Sequence, residues 1–149
     1  GPSTNTGEVE PGTQQAYGWS AWQSHPGYRG LLIRTRLQYR QKGQSYWYWE
    51  MEIKNNYTEQ VSVQAFTSDK CKMKNTEINE LYSDGSNVVI ASGGTGRETH
   101  LRSASSAQVK FWVTMYRKSG NGKIARHDDG SLPLKCQIYP SGQSCPDQP

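Results

Sequence analysis

Apolar and polar residues alternate along most of this chain, and that alternation predicts strands. The pattern is clearest in residues 31–40 and 46–54, where apolar side chains occupy every second position. A period of two is typical of a strand with one buried face, because successive side chains point to opposite sides of a sheet. Since no stretch has a convincing helical period, we expect an all-β protein.

These two stretches predict a β-hairpin closed by the polar loop 41–45. One register places every apolar pair on one face and two pairs of opposite charge on the other, whereas a slip of one residue would bury arginines. The expected pairs are Arg40–Tyr46, Tyr39–Trp47, Gln38–Tyr48, Leu37–Trp49, Arg36–Glu50, Thr35–Met51, Arg34–Glu52 and Ile33–Ile53.

Further short strands are expected along the rest of the chain, separated by turn residues. Short strands at such spacing predict an antiparallel β-sandwich of immunoglobulin-like or jelly-roll type, with a small β-barrel as the second choice. The strands are expected near residues 61–66, 77–82, 87–91, 98–102, 108–116, 123–127 and 132–139.

The two ends of the chain differ in composition from its middle. Residues 1–15 contain almost no apolar side chain and begin Gly-Pro-Ser, which is typical of a linker or of a remnant left by tag cleavage. Residues 140–149 have a similar composition and are expected to form a tail. The remaining residues, 16–139, are then one β-sandwich domain, either a module of a longer protein or a small mature secreted protein.

The composition indicates a core built largely from aromatic rings. Only 22 of the 149 residues are Leu, Ile, Val or Phe, a proportion low enough to raise the question of disorder. Disordered chains also have a high net charge, and here 17 basic residues are set against 13 acidic ones. The 5 Trp and 9 Tyr can supply the missing buried area. No apolar run approaches the length of a membrane span.

Three cysteines favour an extracytoplasmic setting, secreted or at the cell surface. Cys71, Cys136 and Cys145 match no zinc-ligand spacing, so one disulfide and one thiol are expected. Cys71–Cys145 is the preferred bridge and Cys136–Cys145 the second, with Cys136 as a buried thiol in the first case. Three reduced thiols are the alternative. Asn56-Tyr57-Thr58 is also an N-glycosylation sequon.

No catalytic or metal-binding pattern stands out, and no cofactor is expected. The three histidines carry no nucleophile or zinc signature. Glu50 and Glu52 could resemble the carboxylate pair of a glycoside hydrolase, but Arg36 and Arg34 explain both as surface ion pairs. Asp128 and Asp129 precede a glycine and indicate a turn. A small hydrolase is therefore the third hypothesis.

The basic character of the chain could indicate a nucleic-acid partner. Its pI is about 9.0, but a net charge of +4 is modest for a surface that follows phosphates. We therefore expect neither a nucleic-acid partner nor insertion into a membrane.

Several aromatic side chains are expected to point away from the core. Strand parity places them on outer faces, where either a covering segment or a ligand must explain them. The segment 17–22 together with Tyr28 could be that cover, as an aromatic strap. If the rings are exposed, they suit the C–H faces of sugars, with polar neighbours for the hydroxyls. The predicted ligand contacts are the aromatic residues Tyr46, Tyr48, Trp112 and Tyr116 and the polar residues Arg36, Gln38 and Arg40.

These patterns favour a non-catalytic binding module that takes a carbohydrate or another cell-surface polymer on an aromatic sheet face. The alternative is a protein–protein interaction or assembly domain, adhesin-like or accessory, that uses the same face or a sheet edge and has no sugar ligand.

Overall fold

The protein's structure is a computed structural model that describes residues 18–40, 43–68, 70–78, 87–103, 109–117, 124–136 and 138. Within these residues the chain forms seven strands, all of which pair antiparallel. They are β1 (Gln23–Ser24), β2 (Leu31–Arg40), β3 (Trp47–Asn55), β4 (Val61–Ser68), β5 (Val88–Ile90), β6 (Thr95–Ser103) and β7 (Lys110–Arg117).

The strands form two sheets, and these do not close into a barrel. One sheet has four strands in the order β1-β2-β3-β6, and the other has three in the order β5-β4-β7. The prediction of an all-β, sandwich-like fold is therefore confirmed, whereas the second choice of a barrel is wrong.

The predicted hairpin is confirmed over most of its length. The pairs from Ile33–Ile53 to Leu37–Trp49 form in the expected register. Beyond them a β-bulge at Gln38 shifts β2 by one residue, so Tyr39 pairs with Tyr48 and Arg40 with Trp47. The three expected pairs nearest the loop are therefore wrong, because a bulge adds one residue to one strand without changing the alternation that the sequence shows.

The main core lies between the two sheets and is built by the alternation seen in the sequence. Ile33, Leu37, Trp49 and Met51 from the four-stranded sheet are buried against side chains of the other sheet. The rings of Trp49 and Phe111 meet edge to face at 5.4 Å. Tyr28, at 0% exposed, belongs to this core and not to a surface cover.

A smaller apolar cluster covers the other face of the three-stranded sheet. It contains Met73, Ile78, Trp112 and Cys136, with Phe66 packed against them. Residues 75–78 form a helical turn here, where the sequence predicted the start of a strand at 77–82, and residues 79–82 lie outside the described ones. The three-stranded sheet is thus covered on both faces.

The last expected strands are mostly irregular. Residues 124–127 form no strand, and the stretch 132–139 contributes only the isolated bridges of Lys135 with Lys72 and of Ile138 with Phe111 within the described residues.

The same segment contains Cys136, which forms no disulfide. Its buried thiol donates to the carbonyl oxygen of Phe111 at 3.0 Å. The expected buried thiol is confirmed, and the second-choice bridge Cys136–Cys145 is wrong. Cys145 and the two terminal segments lie outside the described residues.

The crossover from one sheet to the other is held by a single buried side chain. The amide nitrogen of Asn55 donates to the carbonyl oxygens of Glu59 at 2.9 Å and Ile90 at 3.0 Å. Its amide oxygen accepts a hydrogen bond from the backbone of Tyr57 at 2.9 Å. Asn55 lies at the end of one sheet and forms hydrogen bonds with backbone groups in the other sheet and in the turn that follows β3. These bonds fix the two sheets relative to each other at this end.

Candidate binding surface

The outer face of the four-stranded sheet has a row of alternating charges across its strands. Arg34 Nε donates to Glu52 Oε1 and Arg36 Nε to Glu50 Oε1, both at 2.7 Å, as the predicted register requires. Arg97 on β6 then bonds to both carboxylates, at 3.0 Å to Glu50 and 2.8 Å to Glu52. Arg97 is therefore a further member of this charged row. The hairpin sequence could not predict it, because Arg97 comes from a strand distant in sequence.

The carboxylates of both glutamates are bonded to arginines, and Glu52 is held in its charged form. Burial opposes ionisation of Glu52, but hydrogen bonds from Arg97 and Arg34 outweigh it, so the pKa of this carboxyl lies below its usual value. Glu50 is only 3% exposed, which corrects the expectation of a purely superficial ion pair. This network accounts for both side chains as structural groups, as the sequence predicted.

The segment preceding β2 lies across this face as a strap. The guanidinium of Arg34 sits over the rings of both Trp19 and Trp22, at 4.7 and 4.6 Å from their centroids, and that of Arg36 over Trp19 at 4.8 Å. Such cation–π contacts fix arginine planes that would otherwise be mobile. The strap thus covers part of Arg34 and Arg36, and Trp22 is still 40% exposed.

Backbone contacts explain the position of the strap. Ser20 donates its N–H to the carbonyl oxygen of Thr35 at 2.9 Å, and its hydroxyl accepts from the N–H of Thr35 at 3.0 Å. Further along, β1 pairs with Leu32 and Ile33. The strap is therefore held along the edge of β2, from which its indole rings reach over the face.

A second aromatic group, here called the tyrosine cluster, consists of Tyr46, Tyr48 and Arg102. The two tyrosine rings are half-buried and meet edge to face at 5.3 Å, and the Tyr48 hydroxyl donates to that of Tyr46 at 3.4 Å. The Arg102 guanidinium lies 4.9 Å from the centroid of the Tyr46 ring. Hydrogen bonds from Tyr48 and from Arg102 lower the pKa of Tyr46 below its usual value.

This cluster brings two of the predicted contact residues together and adds one that was missed. Arg102 lies directly opposite Tyr48 in the sheet, so its side chain is on the same face. The sequence indicated a short strand at 98–102 but not its partner, because strand order in a sheet is not encoded in local alternation. The tyrosine cluster thus combines ring surface, hydroxyls and a cation.

The three polar residues predicted as contacts take different positions. Arg36 belongs to the charged row. Arg40 lies over the ring of Trp47 at 5.7 Å and donates to the carbonyl oxygen of Gln44 at 3.3 Å. Gln38 is the extra residue of the bulge, and its amide oxygen is buried without a hydrogen-bond partner in the described part of the chain.

Trp112 does not belong to this surface. It points away from the main core, as its parity predicts, but it is only 2% exposed because the second cluster covers it. Its ring stacks on Phe66 at 6.1 Å with an interplanar angle of 4°. The expectation of an exposed contact is therefore wrong for Trp112, and the side chain of Tyr116 lies outside what the structure describes.

The described residues include neither a metal site nor a membrane-spanning helix. They contain no group of three or more His, Cys, Asp or Glu side chains placed to hold a metal ion. No helix among them is long and apolar enough to cross a bilayer.

Comparison with protein-family models, with curated proteins and with solved structures finds no match to this chain. The function must therefore be argued from the surface itself.

Proposed function

We propose that this protein is a non-catalytic binding module that takes carbohydrate on the outer face of its four-stranded sheet. The observation that carries the proposal is the tyrosine cluster, in which two half-buried rings meet edge to face and an arginine lies against one of them. Sugar rings present C–H faces that stack on aromatic surfaces and hydroxyls that need nearby donors and acceptors. Tyr46, Tyr48 and Arg102 supply both.

The rest of the face extends the same chemistry. Trp22 adds a further exposed ring, and Arg36 and Arg97 line the sheet beside it. The carboxylates between them are already neutralised by three arginines, so the face has an excess of positive charge. This excess favours glycans that contain uronate or sulfate groups over neutral ones.

A non-catalytic role is supported by the state of the two glutamates. A glycoside hydrolase needs one carboxyl group held protonated as an acid and another facing the scissile bond. Here Glu50 is buried and Glu52 has a lowered pKa, and both are bonded to arginines. We assign them to the architecture of the face.

The proposal includes a secreted or cell-surface location and the bridge Cys71–Cys145. Cys136 is buried as a free thiol, which leaves these two cysteines as the pair. Such a bridge would tie the tail to the segment that covers Trp112. Mass spectrometry of peptides from the non-reduced protein would show the bridge directly, and three free thiols would contradict it.

Binding is tested by titrating the protein with neutral, uronate-containing and sulfated oligosaccharides in a calorimeter. We expect Tyr48→Ala and Tyr46→Ala to abolish most of the affinity. Tyr48→Phe retains the ring and should lose only the contribution of the hydroxyl, so the two kinds of variant separate stacking from hydrogen bonding. Circular dichroism establishes that each variant folds. Absence of binding across the panel, or unchanged affinity in both alanine variants, would refute the proposal.

One observation favours the alternative of an assembly domain. Val89 on β5, at the edge of the three-stranded sheet, is 59% exposed. An apolar side chain on an edge strand suits pairing with another chain. If assembly is the function, sedimentation should show association that Val89→Lys removes and Tyr48→Ala does not.

A further inference from the structure

A second concave surface lies beside the segment 124–136 and has no part in the proposed carbohydrate face. It is a groove of about 510 Å³ lined by Arg126, His127, Ser131, Leu132, Leu134 and Lys135. A volume in this range is that of a site for a small organic molecule.

The groove has cationic groups at its polar part. Arg126 and Lys135 are exposed, and the described residues that line the groove include no acidic side chain. The ring of His127 is neutral at pH 7, because burial lowers its pKa and this effect outweighs the nearby carboxylates. One of these, Asp129, accepts hydrogen bonds within its own turn, from the hydroxyl of Ser131 at 2.7 Å and from its N–H at 2.9 Å.

The other part of the groove is apolar. Leu132 and Leu134 are half-buried, and Leu134 packs against the cluster that contains Trp112. Because water leaves such a surface favourably, a ligand with a hydrocarbon body gains from contact with it.

The loop that forms the groove is fixed in place. Arg126 donates to the carbonyl oxygen of Gly130 at 2.9 Å, and His127 donates its N–H to the carbonyl oxygen of Ser131 at 2.8 Å. Asp128 in the same turn accepts from the Tyr57 hydroxyl at 3.0 Å and from the backbone of Arg29 at 2.9 Å. A groove with a preformed wall binds at a lower entropic cost than one formed by a mobile loop.

We propose that this groove binds a small amphipathic anion, with its carboxylate or phosphate between Arg126 and Lys135 and its apolar body on Leu132 and Leu134. Two cations, with no acidic side chain among the described lining residues, select the charge of the head group. The leucines select a body of several carbon atoms over a bare anion.

The test uses sodium octanoate as the probe and follows backbone amide resonances of the intact protein by NMR. We expect saturable shifts at Ser131, Leu132 and Leu134. Acetate has the charge without the apolar body, and octylammonium has the body with the opposite charge. We expect the first to bind at least tenfold more weakly than octanoate and the second to give no saturable shift.

Three substitutions test where the charged head group of the ligand binds. Arg126→Gln and Lys135→Gln are both exposed changes, and each should weaken octanoate roughly tenfold, since a hydrogen bond to a charged group is lost. Lys54→Gln removes the same charge from β3 and should leave the affinity unchanged. Saturable octylammonium binding, an equal loss in Lys54→Gln, or no shift at the groove amides would overturn the assignment. Each result is independent of the carbohydrate titration, so the two proposals fail separately.

Discussion

The imidazole of His25 donates a hydrogen bond from Nε2 to the carbonyl oxygen of Val113 at 3.1 Å, which joins the strap at the edge of one sheet to β7 of the other. A carbonyl only accepts, so Nε2 holds the proton. The opposite nitrogen, Nδ1, accepts from the N–H groups of Gly27 at 3.0 Å and Tyr28 at 3.1 Å. Because both nitrogens are used in this way, the contact requires the neutral ring.

This arrangement predicts loss of stability in mild acid. Burial, and then the neighbouring His127, lower the pKa of His25 from 6.5 to about 4. The unfolded chain therefore takes up a proton between these two values while the folded protein does not, so the stabilisation is complete above pH 6.5 and is lost as the pH falls towards 4. The full difference is about 3 kcal/mol. Urea unfolding at a series of pH values measures it.

The control is His25→Gln, which retains a donor near Nε2 but cannot take a proton. It should be less stable than the wild type at pH 7, and the gap should shrink as the pH falls from 6.5 to 4. The charges of Asp128 and His127 also act on the His25 ring, so the difference in stability between the wild type and His25→Gln at each pH is the quantity to compare. Parallel pH profiles would contradict the assignment to His25.

A second prediction concerns the charged row. Glu50→Gln leaves Arg36 and Arg97 facing a neutral amide, and it should destabilise the protein by about 2 kcal/mol. Glu52→Gln, whose side chain is 12% exposed, should cost about 1 kcal/mol. An equal loss of unfolding free energy in the two variants would show that burial of the carboxylate does not determine the size of the destabilisation. Thermal and denaturant unfolding both provide the comparison.

A third prediction tests the close approach between the strap and the loop at 127. An alanine methyl group at Gly27 would lie 2.4 Å from the His127 ring, and no rearrangement of a flexible tip could relieve that contact because the ring is buried. Gly27→Ala should cost about 1–3 kcal/mol. Gly18→Ala, where nothing lies within 4 Å, should change the stability by less than about 0.5 kcal/mol.

The tryptophans provide a fourth prediction. Trp22 is 40% exposed, whereas Trp49 and Trp112 are 4% and 2% exposed. Iodide should therefore quench only part of the fluorescence, and Trp22→Phe should remove much of the quenchable part. Trp112→Phe should leave that part unchanged. Strong quenching that persists in Trp22→Phe and falls in Trp112→Phe would contradict the burial of Trp112.

Local alternation was sufficient to predict the hairpin as far as Leu37 and Trp49, the inward residues of that part, and the two arginine–glutamate pairs. Each of these depends on residues near one another in sequence, where a period of two determines both face and register. Alternation could not predict the bulge at Gln38, because the same pattern is compatible with one extra residue in either strand.

The surface was less predictable for a related reason. Arg97 and Arg102 reach the face through pairing of β3 with β6, and Trp112 is covered by segments from elsewhere in the chain. Parity indicated correctly that Trp112 points away from the main core, but what lies above a side chain is decided by topology. This is why Tyr46 and Tyr48 are still candidates for ligand contact and Trp112 is not.

The two sheets differ in how freely their sequences could diverge. The three-stranded sheet is covered on both faces and residues 61–65 of β4 are all buried, so a change of side-chain volume at any of them would disturb packing. The four-stranded sheet is packed on one face only, and its other face consists of arginines, tyrosines and the strap tryptophans. Specificity could therefore drift during evolution through substitutions on that outer face while the scaffold underneath stayed the same.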